Sequence, residues 1–188
     1  MNQTMHQEKL KQLIFISILA TAGIVCKPVF SPMINFITDF MRIPGGSMAS
    51  GISMSVLILG ALLYKNQYVA TKMAFLQGLI ALIFGISSFQ GLFVLVSYTL
   101  PGFVIDSTLK CTGQKGIKEE IMSAMAGVMG ILSGALVTNA MFFKMPFVPL
   151  SLFLLVGAGT GYMASNIALQ VSKKLKPILK IRGEFYEQ

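Results

Sequence analysis

The chain has 188 residues, of which 54% are hydrophobic and 12% charged, with a net charge of +8 and a mean hydropathy of +0.73. A soluble domain covers its surface with about 25% charged residues, so half that share leaves apolar surface that only lipid covers, and a water-soluble globular protein is excluded. The length suits one bundle better than two ordinary domains, and residues 1–188 read as a single transmembrane domain.

Apolar runs are measured against the ~20 residues that carry a helix across a ~30 Å hydrocarbon layer. The first, 13–33 (LIFISILATAGIVCKPVFSPM), is too long for a removed signal peptide and has no good small-residue cleavage site after its basic flank. Residues 34–47 follow as a polar, turn-prone loop ending in DFMRIPGG, with Pro44, Gly45 and Gly46 free to bend over whatever lies beneath, as a lid. The second run, 48–64, is short; the third is 68–86; the fourth, 89–109, is broken by Pro101; the fifth is 121–143 and the sixth 147–171. Residues 172–188 form a basic tail. Helices are the expected element throughout, because open strands leave backbone groups unpaired in lipid and these runs do not alternate as barrel strands do. The predicted fold class is an all-α integral membrane protein, a bundle of six transmembrane helices.

The positions of the bases set the orientation. With the amino terminus inside, the cytoplasmic segments collect Lys9, Lys11, Lys65, Lys72, Lys110, Lys115, Lys118, Lys173, Lys174, Lys176, Lys180 and Arg182, while Lys27, Arg42 and Lys144 fall outside. Twelve against three places both termini in the cytosol. Bases at the cytoplasmic ends of helices account for the +8 charge without nucleic acid, and no aromatic–basic pattern suggests one.

The usual parts of a membrane enzyme are missing. His6, the only histidine, lies in the amino-terminal tail, so haem ligation, a Ser/His dyad and histidine chemistry within the bilayer lack their base or ligand. Asp106 is the one acid inside a run, which leaves no carboxylate cluster for a two-metal site. Cys26 and Cys111 fall on opposite sides and read as packing residues. The GGS of the first outer loop lacks the Lys and Ser/Thr of a phosphate-binding loop. No catalysis, cofactor or metal is expected.

Buried amides and hydroxyls cost roughly 2–7 kcal/mol in hydrocarbon unless they meet a partner or a ligand. Counting along each run puts Gln77 and Tyr98 near mid-depth and Lys27, Asn35, Gln90, Asn139 and Lys144 in the outer half, below a loop that carries Asp39 and Arg42. Singly, each is helix–helix glue or, for the lysines, a side chain reaching for the interface. Together they mark a solute pocket, with Tyr98 and neighbouring Phe residues to stack on a heterocycle. Asn166, in the inner half of the last run, reads as structural. Small residues at four-residue spacing recur as Ser123 and Gly127, then Gly130, Gly134 and Thr138 in the fifth run, and as Gly157, Gly161 and Ser165 in the sixth. This spacing permits close helix approach, either inside the bundle or against another membrane protein.

The layout, with the run PGGSMASGISMSVLILGALLYKNQYVATKMAFLQGLIALIFG, resembles the substrate-binding S component of an energy-coupling factor (ECF) transporter, nearest to the branch that handles thiamine precursors and related vitamins. The resemblance implies capture of a vitamin or vitamin precursor at the outer face of a bacterial plasma membrane. It also implies a separate transmembrane T component and two ATPases as partners. Members commonly dock through an AxxxA pair on the first helix; here Ala20 is followed by Ile24, so Ser17/Thr21 or Ala22/Cys26 stand in for it. Arg42 of MRIPGG is no metal ligand, which separates the chain from the nickel- and cobalt-binding branch. Two other readings compete: a scaffold or assembly subunit, and a proton-coupled carrier, which wants a mid-depth carboxylate or histidine that the chain lacks.

Overall fold

A computed structural model describes residues 2–40, 46–64, 68–86, 88–113 and 116–181. Six α-helices occur among them: α1 (Asn2–Phe40), α2 (Gly46–Leu63), α3 (Val69–Ile83), α4 (Val94–Gly113), α5 (Glu119–Thr138) and α6 (Phe147–Ile181). A 3-10 segment, Ser88–Phe93, leads into α4, and a π turn, Asn139–Phe143, ends α5; no strand is present among the described residues.

Among the described residues four stretches are long and apolar enough to cross a membrane: Gln12–Ile34, Gly91–Gly113, Glu119–Phe143 and Phe147–Pro177. Ser50–Leu63 and Val69–Ile83 are shorter apolar helices. The outward-facing side chains match a lipid surround. Phe36, Ile83, Phe84, Leu155 and Phe147 are among the most exposed in the molecule, the reverse of a soluble surface.

The short α2 sits at the centre. It packs against each of the other five helices, and from Gly51 to Leu63 no residue is fully exposed. A helix apolar all round must be enclosed, and one enclosed by protein has no lipid-facing length to fill, which accounts for its shortness. Around it α1 lies on α3, α3 on α4, α4 on α5 and α5 on α6, with α2 bridging α6 back to α1. The core carries Leu57, Ile58, Leu62, Met73 and Ile105, each at most 3% exposed.

Glycine sets how closely the outer helices pass. A Cβ on Gly127 would collide with the Gly161 carbonyl, and one on Gly161 would stand 2.6 Å from the Gly127 carbonyl oxygen, so α5 and α6 touch backbone to backbone. Gly130 and Gly134 turn instead to Ile105 and Pro101 of α4. The small-residue stripes of the fifth and sixth runs are therefore used inside the bundle.

The start of α1 and the end of α6 lie at one end of the bundle, here called the terminal end, because Lys173 late in α6 pairs with Glu120 early in α5 (3.0 Å), while Lys27 late in α1 meets Tyr98 early in α4. Several expected boundaries move. Most of the anticipated 34–47 loop is helical, since α1 continues to Phe40 and α2 begins at Gly46; residues 41–45, including the expected lid residues Pro44 and Gly45 and the site residue Arg42, lie outside the described residues. The expected basic tail is also helical as far as Ile181: Lys173 and Lys176 pair with Glu120 and Glu119, two acids in the first turn of α5 where the helix dipole favours them.

Candidate functional site

At the end opposite the termini, Lys27 of α1 reaches across to α4. Its Nζ donates a 2.8 Å hydrogen bond to the Tyr98 hydroxyl and lies 4.6 Å from the centre of the Tyr98 ring. Both residues are half-buried. Tyr98, expected near mid-depth, and Lys27, expected in the outer half, are thus in contact. Tyr98 can stand there because α3 opposes it with Gly78, whose missing side chain leaves the Tyr98 Cβ 3.3 Å from the space a methyl would take.

The backbone of α4 adds polarity at the same level. Pro101 has no N–H to return to the carbonyl of Ser97 four residues back, which interrupts the internal bonding of the helix there. The hydroxyls of Ser97 and Thr99, on either side of Tyr98 in the chain, are buried without a hydrogen-bond partner. Buried hydroxyls are ordinarily satisfied by protein, ordered water or a ligand. Neither residue stood out from sequence, where single Ser and Thr residues are common in membrane helices; their signal was the cluster Ser97-Tyr98-Thr99 one turn ahead of a helical proline.

Two other expected site residues have local partners. Gln77, 1% exposed, donates from Nε2 to the Ala20 carbonyl of α1 at 3.2 Å. Gly23 makes this possible, because a Cβ there would lie 2.5 Å from the Gln77 amide nitrogen. Asn139 accepts the Met145 N–H on Oδ1 at 2.9 Å, tying the π turn to the start of α6. Lys144 closes that turn in a left-handed conformation (φ 45°), its N–H donating to the Asn139 carbonyl at 2.8 Å, and its side chain is exposed. The side chains of Asn35, Asp39 and Gln90, together with the whole of Arg42, lie outside the described residues.

The expected docking residues share one exposed side of α1. Ser17, Thr21 and Ala22 are exposed and Cys26 half-buried, among exposed Ile14, Ile18, Val25 and Val29; Thr21 donates its hydroxyl to the Ser17 carbonyl at 2.8 Å. Ala20 and Ile24, the positions of the interrupted alanine pair, are instead fully buried.

Asp106 has a role that the sequence did not reveal. Its carboxylate accepts the Ala70 N–H (3.2 Å), the Thr71 N–H (2.7 Å) and the Thr71 hydroxyl (2.7 Å), capping α3 from α4. The residue before α3, Tyr68, is left-handed (φ 50°) and supplies no side-chain cap. Its ring stacks on Phe103, and Lys110 donates to its hydroxyl at 3.4 Å. An uncapped helix start at the depth of a lone acid was the available signal. No group of three or more metal-ligating side chains occurs among the described residues.

The chain matches no protein-family model, no curated protein and no solved structure. Chemically, the arrangement around Lys27 and Tyr98 offers hydrogen-bond donors, a cation and an aromatic face within an apolar surround.

Proposed function

We propose that this chain is the substrate-binding subunit of an ECF-type importer, with six helices crossing a bacterial plasma membrane, both termini in the cytosol, and a vitamin or vitamin precursor captured at the outer face. A heterocycle of the thiamine-precursor kind is favoured. The observation that carries this reading is the meeting of Lys27 and Tyr98 in the half of the bundle away from the start of α1 and the end of α6. In an apolar surround such contacts count for more than in water, so a few of them suffice to hold a polar solute. The exposed side of α1 with Ser17, Thr21, Ala22 and Cys26 is the surface offered to a transmembrane T component, and the two ATPases beside it supply the energy for release.

The alternative, a non-transport scaffold or assembly subunit, draws on the local bonding of Gln77 and Asn139, which is what interhelical glue looks like. Gentle extraction of the tagged chain from its native membrane separates the two. Importer function predicts recovery with one integral membrane protein and two ATPases in fixed proportion. Recovery with a stable set that contains no ATPase would favour the scaffold.

A further inference from the structure

We infer that the solute held at this site carries an acidic group, a carboxylate or a phosphate ester, seated against Nζ of Lys27; the inference rests on the solute-capture reading above.

Lys27 lies seven residues inside the end of the apolar stretch Gln12–Ile34, and Tyr98 lies seven residues inside the matching end of Gly91–Gly113. At 1.5 Å of rise per residue, both stand roughly 10 Å along the chain from the ends of these apolar stretches. A cation so placed within an apolar stretch is costly unless an anion or water meets it. Lysine has three N–H donors, and the Tyr98 hydroxyl, a neutral acceptor, engages one and cancels no charge.

No counter-ion meets Lys27 among the described residues. Among carboxylates with described side chains, Glu119 and Glu120 pair with Lys176 and Lys173 at the terminal end. Asp106 is eight residues beyond Tyr98 along α4, about 12 Å by helical rise, with both oxygens held by α3. The backbone of Asp39 lies twelve residues beyond Lys27 on the same helix, about 18 Å away, farther than the two side chains together span.

The remaining groups favour the same ligand chemistry. Having accepted from Lys27, the Tyr98 hydroxyl still has its own proton to give. An ammonium with a phenolic hydroxyl beside it is a site of donors. Carboxylates and phosphates, which bring several acceptors and a negative charge, complete it; an amide or alcohol leaves the cation uncompensated.

The test uses the purified full chain in lipid nanodiscs and four matched pairs of small molecules: nicotinate and nicotinamide, pantothenate and panthenol, 4-amino-5-hydroxymethyl-2-methylpyrimidine phosphate and its free alcohol, and pyridoxal phosphate and pyridoxal. Binding is read by titration for the unmodified chain, Lys27→Met and Lys27→Arg, with thermal unfolding reporting the fold of each. The expected result is at least one acid that binds tenfold or more tighter than its neutral twin, a preference lost in Lys27→Met and partly kept in Lys27→Arg. Equal or tighter binding of the neutral twins to the unmodified chain, which needs no variant to be observed, would overturn the inference and leave solute capture standing. So would an acid preference that survives in a folded Lys27→Met. Failure of every molecule in the panel to bind would remove the inference together with the capture reading beneath it.

Discussion

Asp106 of α4 caps a helix to which it does not belong, its Oδ2 accepting both the backbone N–H and the hydroxyl of Thr71 at 2.7 Å. Residues 70 and 106 are far apart in sequence, so this contact fixes α3 against α4 as well as closing the start of α3. Loss of an N-cap oxygen costs about 0.5–2 kcal/mol. Asp106→Ala should lower the unfolding free energy by about that amount. Asp106→Asn, which keeps one acceptor oxygen, should lower it less. Thermal or denaturant unfolding in a fixed detergent measures both, and an unchanged midpoint for Asp106→Ala would mean that α3 is held by other contacts.

The glycine contacts predict opposite signs at two positions. Gly127 meets the backbone of α6, which cannot move aside, so Gly127→Val should destabilise by about 1–3 kcal/mol through forced separation of α5 and α6. A Cβ at Gly159, on the exposed side of α6, would meet nothing within 4 Å, and Gly159→Ala should be neutral or gain up to about 1 kcal/mol of helix propensity. Unfolding midpoints of the two variants give the comparison. Equal effects would contradict the close crossing.

Asn139 is expected to act through its turn. With Oδ1 removed, the Met145 N–H loses its acceptor, and Asn139→Ala should cost about 1 kcal/mol of stability. Any loss of solute affinity should be smaller than that of Tyr98→Phe, which removes the hydroxyl that Lys27 meets. Stability and affinity measured on the same samples separate the two effects.

The helical architecture was legible because apolar runs of membrane length admit few alternatives; Pro101, expected to break the fourth run, instead sits inside the continuous α4 (Val94–Gly113), costing it one internal hydrogen bond. Helix ends were not legible. Residues 34–40 look polar and turn-prone, yet α1 continues through them, and the lysines of 172–176 look like a solvated tail until Glu119 and Glu120 are seen beside them. Among site residues, depth along the chain put Tyr98 at mid-depth and Lys27 farther out, whereas the length of the lysine side chain brings the two into contact. Depth did not separate them from Gln77 and Asn139, whose partners are the Ala20 carbonyl and the Met145 N–H. Backbone partners carry no residue identity, so a pattern of side chains cannot announce them.

Orientation has a direct chemical test. Cys111 is exposed near the end of α4 that holds Lys110, at the terminal end, and Cys26 is half-buried near the other. A membrane-impermeant maleimide should therefore label Cys111 in inside-out vesicles and leave it untouched in intact spheroplasts. Labelling from the outside would reverse the topology and place the Lys27–Tyr98 site on the cytosolic side.

Denaturing the purified protein and identifying by mass spectrometry what it releases tests solute capture most directly. The account predicts one small vitamin-like compound, near one molecule per chain, whose recovery falls in Tyr98→Phe and Lys27→Met while both variants remain folded. A well-folded chain that releases nothing and takes up nothing when soaked in a vitamin mixture would contradict it.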